Sequence, residues 1–369
     1  MKTPRRLSRR EFVGHVSLAA AAAFALPRAL RGADAPPEKK LGIAVLGLGS
    51  YATYEVATAL AVTRFCRLAG VITGTPAKGV RWRKKYGLPE RSVYSYETMQ
   101  RVADNPDIDI VYVVTPPGTH RDFVVRAAQA GKHVISEKPL APTVRECDEM
   151  IAACKAAGKK FSVGYRLEFE PHHREMMRLA RDPNFGPFTK LRGNFGFHMG
   201  GRTWRVDKKL AGGGPLPDVG IYVLQAARRA AGAWPVAVTA HEEPKERPEL
   251  FNEVEETIRW TAEYPGGKVC AGWASYQDEA DDFRAESANG NWVELEPAYI
   301  YGGLDGRTSR GPLNLPNVNQ QAAQMDNFAR CIIDGRDTPV PGEMGRGDIA
   351  TVEAIYEAAA TGKRVAVKI

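Results

Sequence analysis

The sequence contains few cysteines, and their positions indicate neither a metal site nor a disulfide framework. Five cysteines, an odd number, are spread over 369 residues without a Cys-x-x-Cys pair or a histidine at metal-ligand spacing. Cys147 and Cys154 lie on one predicted helix, about 10 Å apart at ~1.5 Å of rise per residue, which is too far for a disulfide. His172 and His173 are adjacent and face different sides of a predicted helix. We therefore expect no metal site and no disulfide.

The chain also lacks basic runs and a long apolar run. Its formal net charge is +8, and residues 1–35 carry seven basic and two acidic residues, so the remainder has a charge of only +3. That weak excess, spread along the chain, is not the footprint of a nucleic-acid-binding protein. The apolar stretch 16–26 is shorter than the ~20 residues that a membrane span needs. We expect no nucleic-acid partner, and no membrane association once the leader is removed.

What the chain does have at its start is a twin-arginine pattern. Ser8-Arg9-Arg10-Glu11-Phe12-Val13 precedes the apolar stretch, and Ala33-Asp34-Ala35 follows it as a cleavage site. The alternative is a basic tail leading into an amphipathic helix, but the alanine-dominated run 18–25 has no polar face. We therefore predict that residues 1–35 are a signal peptide read by the twin-arginine (Tat) export machinery, and that the mature protein is periplasmic. This route carries folded proteins, which hints at a tightly held cofactor.

Behind the leader, short apolar segments alternate with helical patterns. Strands are predicted at 41–46, 67–73, 108–115, 132–136 and 160–164, and helices at 51–62, 77–86, 120–130 and 143–157. This alternation predicts an α/β Rossmann domain with a doubly wound parallel sheet over residues 36–165. From residue 166 to 369, longer alternating segments at 189–197, 236–242, 255–261 and 268–275 predict an α+β domain with an open-faced, mostly antiparallel sheet. Helices at 319–334 and 346–361 complete the chain.

A glycine-rich turn follows the first predicted strand. Gly47-Leu48-Gly49-Ser50-Tyr51-Ala52 lies between a strand and a helix, which is the context in which such a turn binds a dinucleotide. The glycines let the main chain approach a pyrophosphate at the start of the helix. The alternative is a tight turn without a ligand.

The residues at the end of the second strand indicate whether a site of this type binds NAD or NADP. An Asp or Glu there would accept hydrogen bonds from a ribose 2′-hydroxyl and repel a 2′-phosphate. Residues 73–78 contain neither; instead Thr73, Thr75, Lys78 and, one turn on, Arg81 offer hydroxyls and cations that suit a phosphate. We therefore expect NADP rather than NAD, unless the two basic residues form a solvated helix face.

Several further segments carry a resemblance to a known family. They are Ala130-Gly131-Lys132-His133-Val134 running into Glu137-Lys138-Pro139, then Gly164-Tyr165-Arg166, Trp204-Arg205, and Asp218-Val219-Gly220-Ile221-Tyr222. With the glycine turn, they make residues 41–369 resemble the Gfo/Idh/MocA oxidoreductase family. Many relatives carry His where this chain has Tyr222, and the Tyr makes it most similar to the glucose-fructose oxidoreductase subgroup. The resemblance implies late helices packed on the Rossmann domain, and a homo-oligomer, a dimer or tetramer, built through the open sheet.

The resemblance implies that Lys138, Asp218 and Tyr222 are catalytic. Hydride transfer from a sugar carbinol requires removal of the hydroxyl proton, and Tyr222 is the candidate base. A free phenol is a poor base at neutral pH, but a nearby ammonium group such as that of Lys138 stabilises a phenolate. Asp218 lies four residues before Tyr222 on one helical face and can orient either partner. Taken singly, the three would be a surface lysine, a half-buried aromatic and a helix N-cap.

Other residues are candidates for contacts with the cofactor or the sugar. The full set of predicted cofactor-binding residues is Gly47, Gly49, Ser50, Tyr51, Thr73, Thr75, Lys78, Arg81, Tyr96, Thr115, Pro116, His120, Glu137, Lys138, Arg166, Trp204 and Arg205. For Arg166, Trp204 and Arg205 the alternative is a cation over an aromatic ring or a solvated pair. For His120 it is a helix-start histidine without a role in the site.

These features support three hypotheses for the function. The first is an exported sugar oxidoreductase that oxidises one sugar and reduces another through a bound NADP. The second is an ordinary NAD(P)-dependent sugar or polyol dehydrogenase with an exchanging cofactor. The third is a non-catalytic nucleotide or sugar sensor, which fold alone does not exclude. Exported relatives of the first type have a long proline-rich arm before the first strand, whereas here only Pro36-Pro37 and a few residues remain.

Overall fold

The computed structural model describes residues 40–369. The predicted signal peptide and the short Pro36-Pro37 segment lie outside the described residues. None of the helices between residues 40 and 369 is both long enough and apolar enough to cross a membrane. All five cysteines are buried as free thiols.

The first part of the chain forms a six-stranded parallel sheet in the order β3-β2-β1-β4-β5-β6. The strands are β1 (Leu41–Leu46), β2 (Cys66–Ile72), β3 (Val93–Tyr94), β4 (Ile110–Val113), β5 (His133–Ser136) and β6 (Phe161–Val163). Strand order reverses between β1 and β4, and this is where open α/β sheets bind ligands. The predicted doubly wound Rossmann sheet is confirmed.

Four helices connect these strands. They are α1 (Ala57–Leu60), entered through a π-helical turn (Ala52–Val56), α2 (Pro76–Tyr86), α3 (His120–Gln129) and α4 (Val144–Ala156). Local sequence explains their starts: Thr143 and Glu146 form a reciprocal capping box at α4, and Pro76 occupies the first turn of α2. Apolar faces pack on both sides of the sheet, because every residue of β1 and β4 is buried.

The second sheet has nine strands in the order β14-β13-β12-β11-β7-β10-β9-β8-β15. These are β7 (Phe188–Gly196), β8 (Ala237–Glu242), β9 (Thr257–Tyr264), β10 (Lys268–Ser275), β11 (Ala280–Ser287), β12 (Trp292–Leu295), β13 (Gly306–Thr308), β14 (Gly311–Pro312) and β15 (Val365–Ala366). Only β7 and β10 pair in parallel. The mostly antiparallel sheet is confirmed, although strand β11 and the short strands β3 and β12 to β15 were not predicted from the sequence.

The helices of this part of the chain cover the second sheet and reach the first. They are α5 (Pro171–Arg181), α6 (Lys208–Ala211), α7 (Ile221–Ala231), which continues a π-helical turn (Leu216–Gly220), α8 (Gln320–Ile333) and α9 (Gly342–Thr361). Helix α7 packs its apolar residues against β7 and β10. Met325 and Phe328 of α8 share a core with Ile43 and Val45 of β1. The late helices therefore help complete the first core, and the site lies where the two sheets' elements meet.

Candidate functional site

A cavity of about 750 Å³ opens at the carboxyl ends of β1, β2, β4 and β5. Its second wall comes from β7, the start of α7 and the loop between β12 and β13. Most of the predicted site residues line it: Gly47, Gly49, Ser50, Tyr51, Thr73, Thr75, Lys78, Tyr96, Thr115, Pro116, Glu137, Lys138, Arg166, Trp204, Arg205, Asp218 and Tyr222. One concave site thus gathers groups that are up to 175 residues apart in the chain.

The glycine turn after β1 forms an open cradle in this cavity. Gly47 has a φ of 94°, and a Cβ atom on it would lie 2.8 Å from the carbonyl oxygen of Val114, so only glycine fits. A Cβ on Gly49 would meet nothing within 4 Å. The bare main chain at Gly49 therefore faces open space beside the start of the following helix, and this fits a dinucleotide pyrophosphate.

The end of β2 forms the next part of the wall. Thr73 Oγ1 accepts a hydrogen bond from the main-chain nitrogen of Thr75 at 3.2 Å, and Lys78 lines the cavity one turn later. Gly74 is covered by the ring of Tyr96, since a Cβ there would lie 2.8 Å from that ring. Burial raises the pKa of Tyr96. Arg81 differs from its prediction: it is exposed and does not line the cavity, because the next turn of α2 points it to solvent.

His120 also differs from its prediction. It is fully buried behind the wall, where Nδ1 lies 3.1 Å from the carbonyl oxygens of Pro139 and Leu140, and Nε2 lies 2.7 Å from that of Thr115. Burial lowers its pKa. Because both ring nitrogens face main-chain carbonyl oxygens, one of which accepts a hydrogen bond from the neutral ring, His120 joins the loops after β4 and β5 instead of facing a ligand.

Lys138 and Asp218 meet across the two walls. Lys138 Nζ donates to the main-chain carbonyl oxygen of Asp218 at 2.6 Å and lies 3.5 Å from its Oδ1. Oδ2 of Asp218 accepts from Arg205 Nε at 2.7 Å and from the Tyr276 hydroxyl at 2.9 Å. Burial alone would raise the pKa of Asp218, but the charges of Arg205 and Lys138 outweigh it and lower the pKa to about 2. Asp218 is therefore a carboxylate at any physiological pH.

Tyr222 lies one turn after Asp218, between two cations. Its ring centre is 4.5 Å from Lys138 Nζ and 4.8 Å from the guanidinium carbon of Arg166. The ring of Phe195 meets it edge-on at 5.7 Å. The side chain is only 6% exposed and still lines the cavity. A phenol in these surroundings is shielded from solvent and faces positive charge.

Glu137 stands beside Lys138 on the first wall. Its Oε1 accepts from the Tyr112 hydroxyl at 2.5 Å, and Gln324 of α8 donates to the same hydroxyl at 3.0 Å. Burial raises the pKa of the Glu137 carboxyl, although the hydrogen bond from Tyr112 and the charge of Lys138 act in the opposite direction. A carboxyl group thus faces the cavity next to the lysine and accepts from Tyr112 of the first sheet, whose hydroxyl in turn accepts from Gln324 of α8.

Several aromatic side chains of the second wall were not predicted from the sequence. Phe195, Phe197, Tyr299 and Tyr301 line the cavity with the predicted Trp204. Phe195 and Phe197 alternate along a predicted strand, and that spacing could have placed them on one face. Tyr299 and Tyr301 lie in a loop, where no local pattern indicates a site. Within residues 40–369, no cluster of His, Cys, Asp or Glu could hold a metal ion.

Comparison with known proteins assigns the chain to a family. The family described as "Oxidoreductase family, NAD-binding Rossmann fold" matches residues 41–165, and the "GFO/IDH/MocA C-terminal domain" matches residues 173–288. The crystal structure of aldose-aldose oxidoreductase from Caulobacter crescentus, in complex with glycerol, is 43% identical with a TM-score of 0.86, over 89% of this chain and 100% of that one. The chain belongs to the GFO/IDH/MocA oxidoreductase family.

Two further proteins are similar to this chain at lower identity. D-xylose 1-dehydrogenase [NADP(+)] of Haloarcula marismortui is 25% identical over 334 residues, which is 87% of this chain and 92% of the relative. The structure of GenD2 from gentamicin A biosynthesis, in complex with NAD, is 22% identical with a TM-score of 0.76, over 91% of this chain and 98% of that one. This second likeness shows the fold alone.

This GFO/IDH/MocA protein is accordingly an enzyme, an NAD(P)-dependent oxidoreductase acting on CH–OH groups of sugars. The hypothesis of a non-catalytic sensor is set aside. The family resemblance found in the sequence is confirmed.

Proposed function

We propose that this protein is an exported, NADP-dependent sugar oxidoreductase that oxidises one sugar and reduces another through a cofactor it retains. The observation that carries the proposal is the meeting of Lys138, Asp218 and Tyr222 in the cavity that contains the glycine turn. Oxidation of a carbinol requires a group that takes the hydroxyl proton, which Tyr222 can do, while Lys138 and Asp218 can tune and orient that group.

The roles of these residues follow from their contacts. A bound nicotinamide would accept the hydride from one sugar and return it to the other. Tyr222 would take the hydroxyl proton of the first sugar and return a proton to the second. Lys138, within 4.5 Å of the Tyr222 ring, would stabilise the phenolate and hydrogen-bond the reacting oxygen. Asp218 would hold the lysine in place through its carbonyl oxygen at 2.6 Å.

Binding of NADP is supported by the wall at the end of β2. Thr73, Thr75 and Lys78 line the cavity there, and residues 73–78 include no carboxylate that would repel a 2′-phosphate. The NADP(+)-dependent xylose dehydrogenase is a further support, whereas the NAD complex of GenD2 shows that the same fold also accepts NAD.

The proposed sugar-to-sugar cycle is consistent with the proposed export. Free nicotinamide nucleotides are scarce outside the cytoplasm, so an exported enzyme benefits from a cofactor that is regenerated in place. The relative from Caulobacter crescentus is named for transfer between two aldoses. The twin-arginine pattern at Arg9-Arg10 supports export through the Tat machinery to the periplasm. By analogy with the family we also propose a homo-oligomer.

A second candidate function is an ordinary sugar dehydrogenase with an exchanging cofactor. It is favoured by the name of the xylose dehydrogenase. It is also favoured by the small number of residues between the predicted cleavage site and β1, where exported relatives of the first type have a long proline-rich arm. The residues of the site would keep the same roles.

One experiment separates the two candidates. The full chain is expressed with its leader, the exported form is purified gently, and the near-ultraviolet absorbance of reduced nicotinamide is recorded after adding glucose, xylose or another aldose without cofactor. A rise that a second sugar reverses supports the sugar-to-sugar cycle. A rise only after NADP is supplied in stoichiometric amounts overturns it and favours the ordinary dehydrogenase.

A further inference from the structure

Arg166 is a buried cation without a carboxylate partner. It is 2% exposed, and it follows β6 in a short 3-10 turn (Arg166–Phe169). Its guanidinium donates to the carbonyl oxygen of Ile300 at 3.1 Å, and also to that of Tyr299 and to the side-chain oxygen of Gln320. These acceptors are all neutral. Among residues 40–369, no carboxylate oxygen pairs with it in a salt bridge.

Burying a charge is costly unless a counter-charge or a polar partner compensates it. The guanidinium of Arg166 lies between two phenols, 4.8 Å from the ring centre of Tyr222 and 4.6 Å from that of Tyr301. Burial would lower the pKa of Arg166, but the facing Tyr222, Tyr51 and Tyr301 outweigh it and raise the pKa. Arg166 therefore remains charged. Its charge also acts to lower the pKa of the Glu137 and Asp281 carboxyl groups, but neither forms a salt bridge with it.

The other cation at Tyr222 is in a different position. Lys138 lies 3.5 Å from the carboxylate of Asp218, so much of its charge is already compensated. Asp218 is also paired with Arg205. Around Tyr222, Arg166 is thus the cation whose charge is not balanced by a paired carboxylate.

We propose that Arg166 is a positioning residue for Tyr222, and that its unpaired guanidinium adds to the charge of Lys138 in stabilising the Tyr222 phenolate. The inference rests on the proposed function. In the oxidation, the O–H bond of the sugar breaks and an O–H bond forms on Tyr222, while the hydride leaves the same carbinol carbon for the nicotinamide and a C=O bond remains. The charge of Arg166 opposes the cost of holding an anion in a site closed to solvent.

Other charged and titratable groups also surround Tyr222. Besides the two cations, they are Asp218 on its own element, Glu137 after β5, Tyr112 of β4, Tyr51 before α1, and Tyr299 and Tyr301 in the loop after β12. Asp218 is held by two cations, and Glu137 accepts from Tyr112. Neither carboxylate forms a salt bridge with Arg166. The charge of Arg166 also acts on Glu137, so Tyr222 shares an unpaired guanidinium charge with that carboxyl group.

The test compares variants that remove the charge with one that keeps it. Arg166→Met and Arg166→Gln are neutral, and Gln can still donate to a loop carbonyl. Arg166→Lys keeps the positive charge but loses the planar guanidinium group with its several N–H donors. Gln320→Met is the matched control, because it removes a partner of Arg166 and the donor to Ile300, at 3.1 Å, without changing the charge.

The first measurement is the single-turnover rate of nicotinamide reduction as a function of pH. In both neutral variants we expect the midpoint of the acid limb to move up by about one pH unit or more, with an about tenfold slower rate at pH 7. Arg166→Lys and Gln320→Met should keep the wild-type midpoint, even where they slow the reaction. Equal slowing in all four variants with an unchanged midpoint would mean that Arg166 only anchors the loop, and would overturn the proposal.

The second measurement does not depend on turnover. The alkaline ultraviolet absorbance of tyrosinate is recorded for each protein and for its Tyr222→Phe counterpart, so that the difference isolates one of the 13 tyrosines. That tyrosine should ionise at higher pH in the neutral variants than in wild type and in Arg166→Lys. If no sugar reduces NADP in wild type, the proposed function fails, while this titration still decides the role of Arg166. Identical titrations with and without the guanidinium contradict it.

Discussion

The ammonium group of Lys138 donates to the main-chain carbonyl oxygen of Asp218 at 2.6 Å, although the two residues are separated by 80 positions in the chain. Lys138 follows the parallel strand β5, and Asp218 lies in the π-helical turn before α7, which packs on the second sheet. The contact therefore joins the dinucleotide cradle to the second wall of the cavity, and puts the reacting groups where a sugar and a nicotinamide can meet.

Replacing Lys138 should abolish turnover without releasing the cofactor. In Lys138→Met the ammonium group beside Tyr222 is lost, so we expect the sugar-dependent rate to fall by about 10²- to 10⁴-fold. Lys138 is one contact in the predicted cofactor site and the glycine cradle is untouched, so NADP affinity should fall far less than the rate, by about threefold. Stopped-flow rates and titration of bound NADPH fluorescence measure the two effects. Lys155→Met, on the exposed face of α4, is the control, and a similar loss there would argue against a specific role for Lys138.

Substitutions of the two glycines of the cradle should have different effects, one on NADP binding and the other on stability. Gly49→Val places a side chain in open space, where it would occupy the pyrophosphate position. We expect NADP binding to weaken by more than about tenfold, with an unchanged melting temperature. Gly47→Ala instead forces a Cβ to 2.8 Å from a carbonyl oxygen at a φ of 94°, so it should destabilise the fold by about 1–3 kcal/mol. Calorimetry with and without NADP checks both. Normal NADP affinity in Gly49→Val would show that the glycine turn does not bind the pyrophosphate.

Lys78 is predicted to select NADP over NAD, and the neighbouring Arg81 serves as its control. Lys78 lines the cavity, whereas Arg81, on the next turn of α2, is exposed and does not. We expect Lys78→Ala to weaken NADP binding by about 10- to 100-fold through loss of a charge-assisted contact, and to leave NAD binding nearly unchanged. Arg81→Ala should change neither. Dissociation constants for both dinucleotides give the answer, and an equal effect of the two variants would point to general attraction of an anion.

A buried carboxyl group distant from the cavity should make stability depend on pH. Burial is the main cause that raises the pKa of Asp348 from an ordinary value of 3.8 to about 6, and the Tyr165 hydroxyl donates to it at 2.5 Å. Because the folded-state pKa is raised, its contribution to stability is present below about pH 4 and is lost as the pH rises through 6. The loss by pH 7 is of the order of 3 kcal/mol.

Asp348→Asn should remove this dependence. The free energy of unfolding in urea, measured for wild type and variant from pH 4 to pH 7.5, should show wild type losing stability relative to the variant as the pH rises. Asp337→Asn is the control, since that side chain is fully exposed. Parallel pH curves for wild type and Asp348→Asn would show that Asp348 titrates alike in the folded and unfolded chain.

Much of the fold could be predicted, because it is written in local patterns. The predicted helix 77–86 agrees with Pro76–Tyr86, and the predicted strand 268–275 agrees with Lys268–Ser275. Strands β11 to β15 were not predicted. Strands β12 to β15 have only two to four residues each, and β11 has eight residues of which four are charged, so local patterns indicate them weakly. Likewise, nothing in the local sequence indicates that Tyr299 and Tyr301 line the cavity, because their position depends on Arg166, which holds the loop from another part of the chain.

The sequence by itself determined the parts of the site that depend on neighbouring residues: the glycine turn after an apolar strand, the lysine after β5, and the absence of a carboxylate at residues 73–78. The tertiary structure decided which side chains reach the cavity. It turned Arg81 to solvent and buried His120 among three carbonyl oxygens. It also enclosed Arg166 between two phenols. The physical reason is that burial and pairing of a charge are set by elements that meet only in the folded chain, and local spacing does not record them.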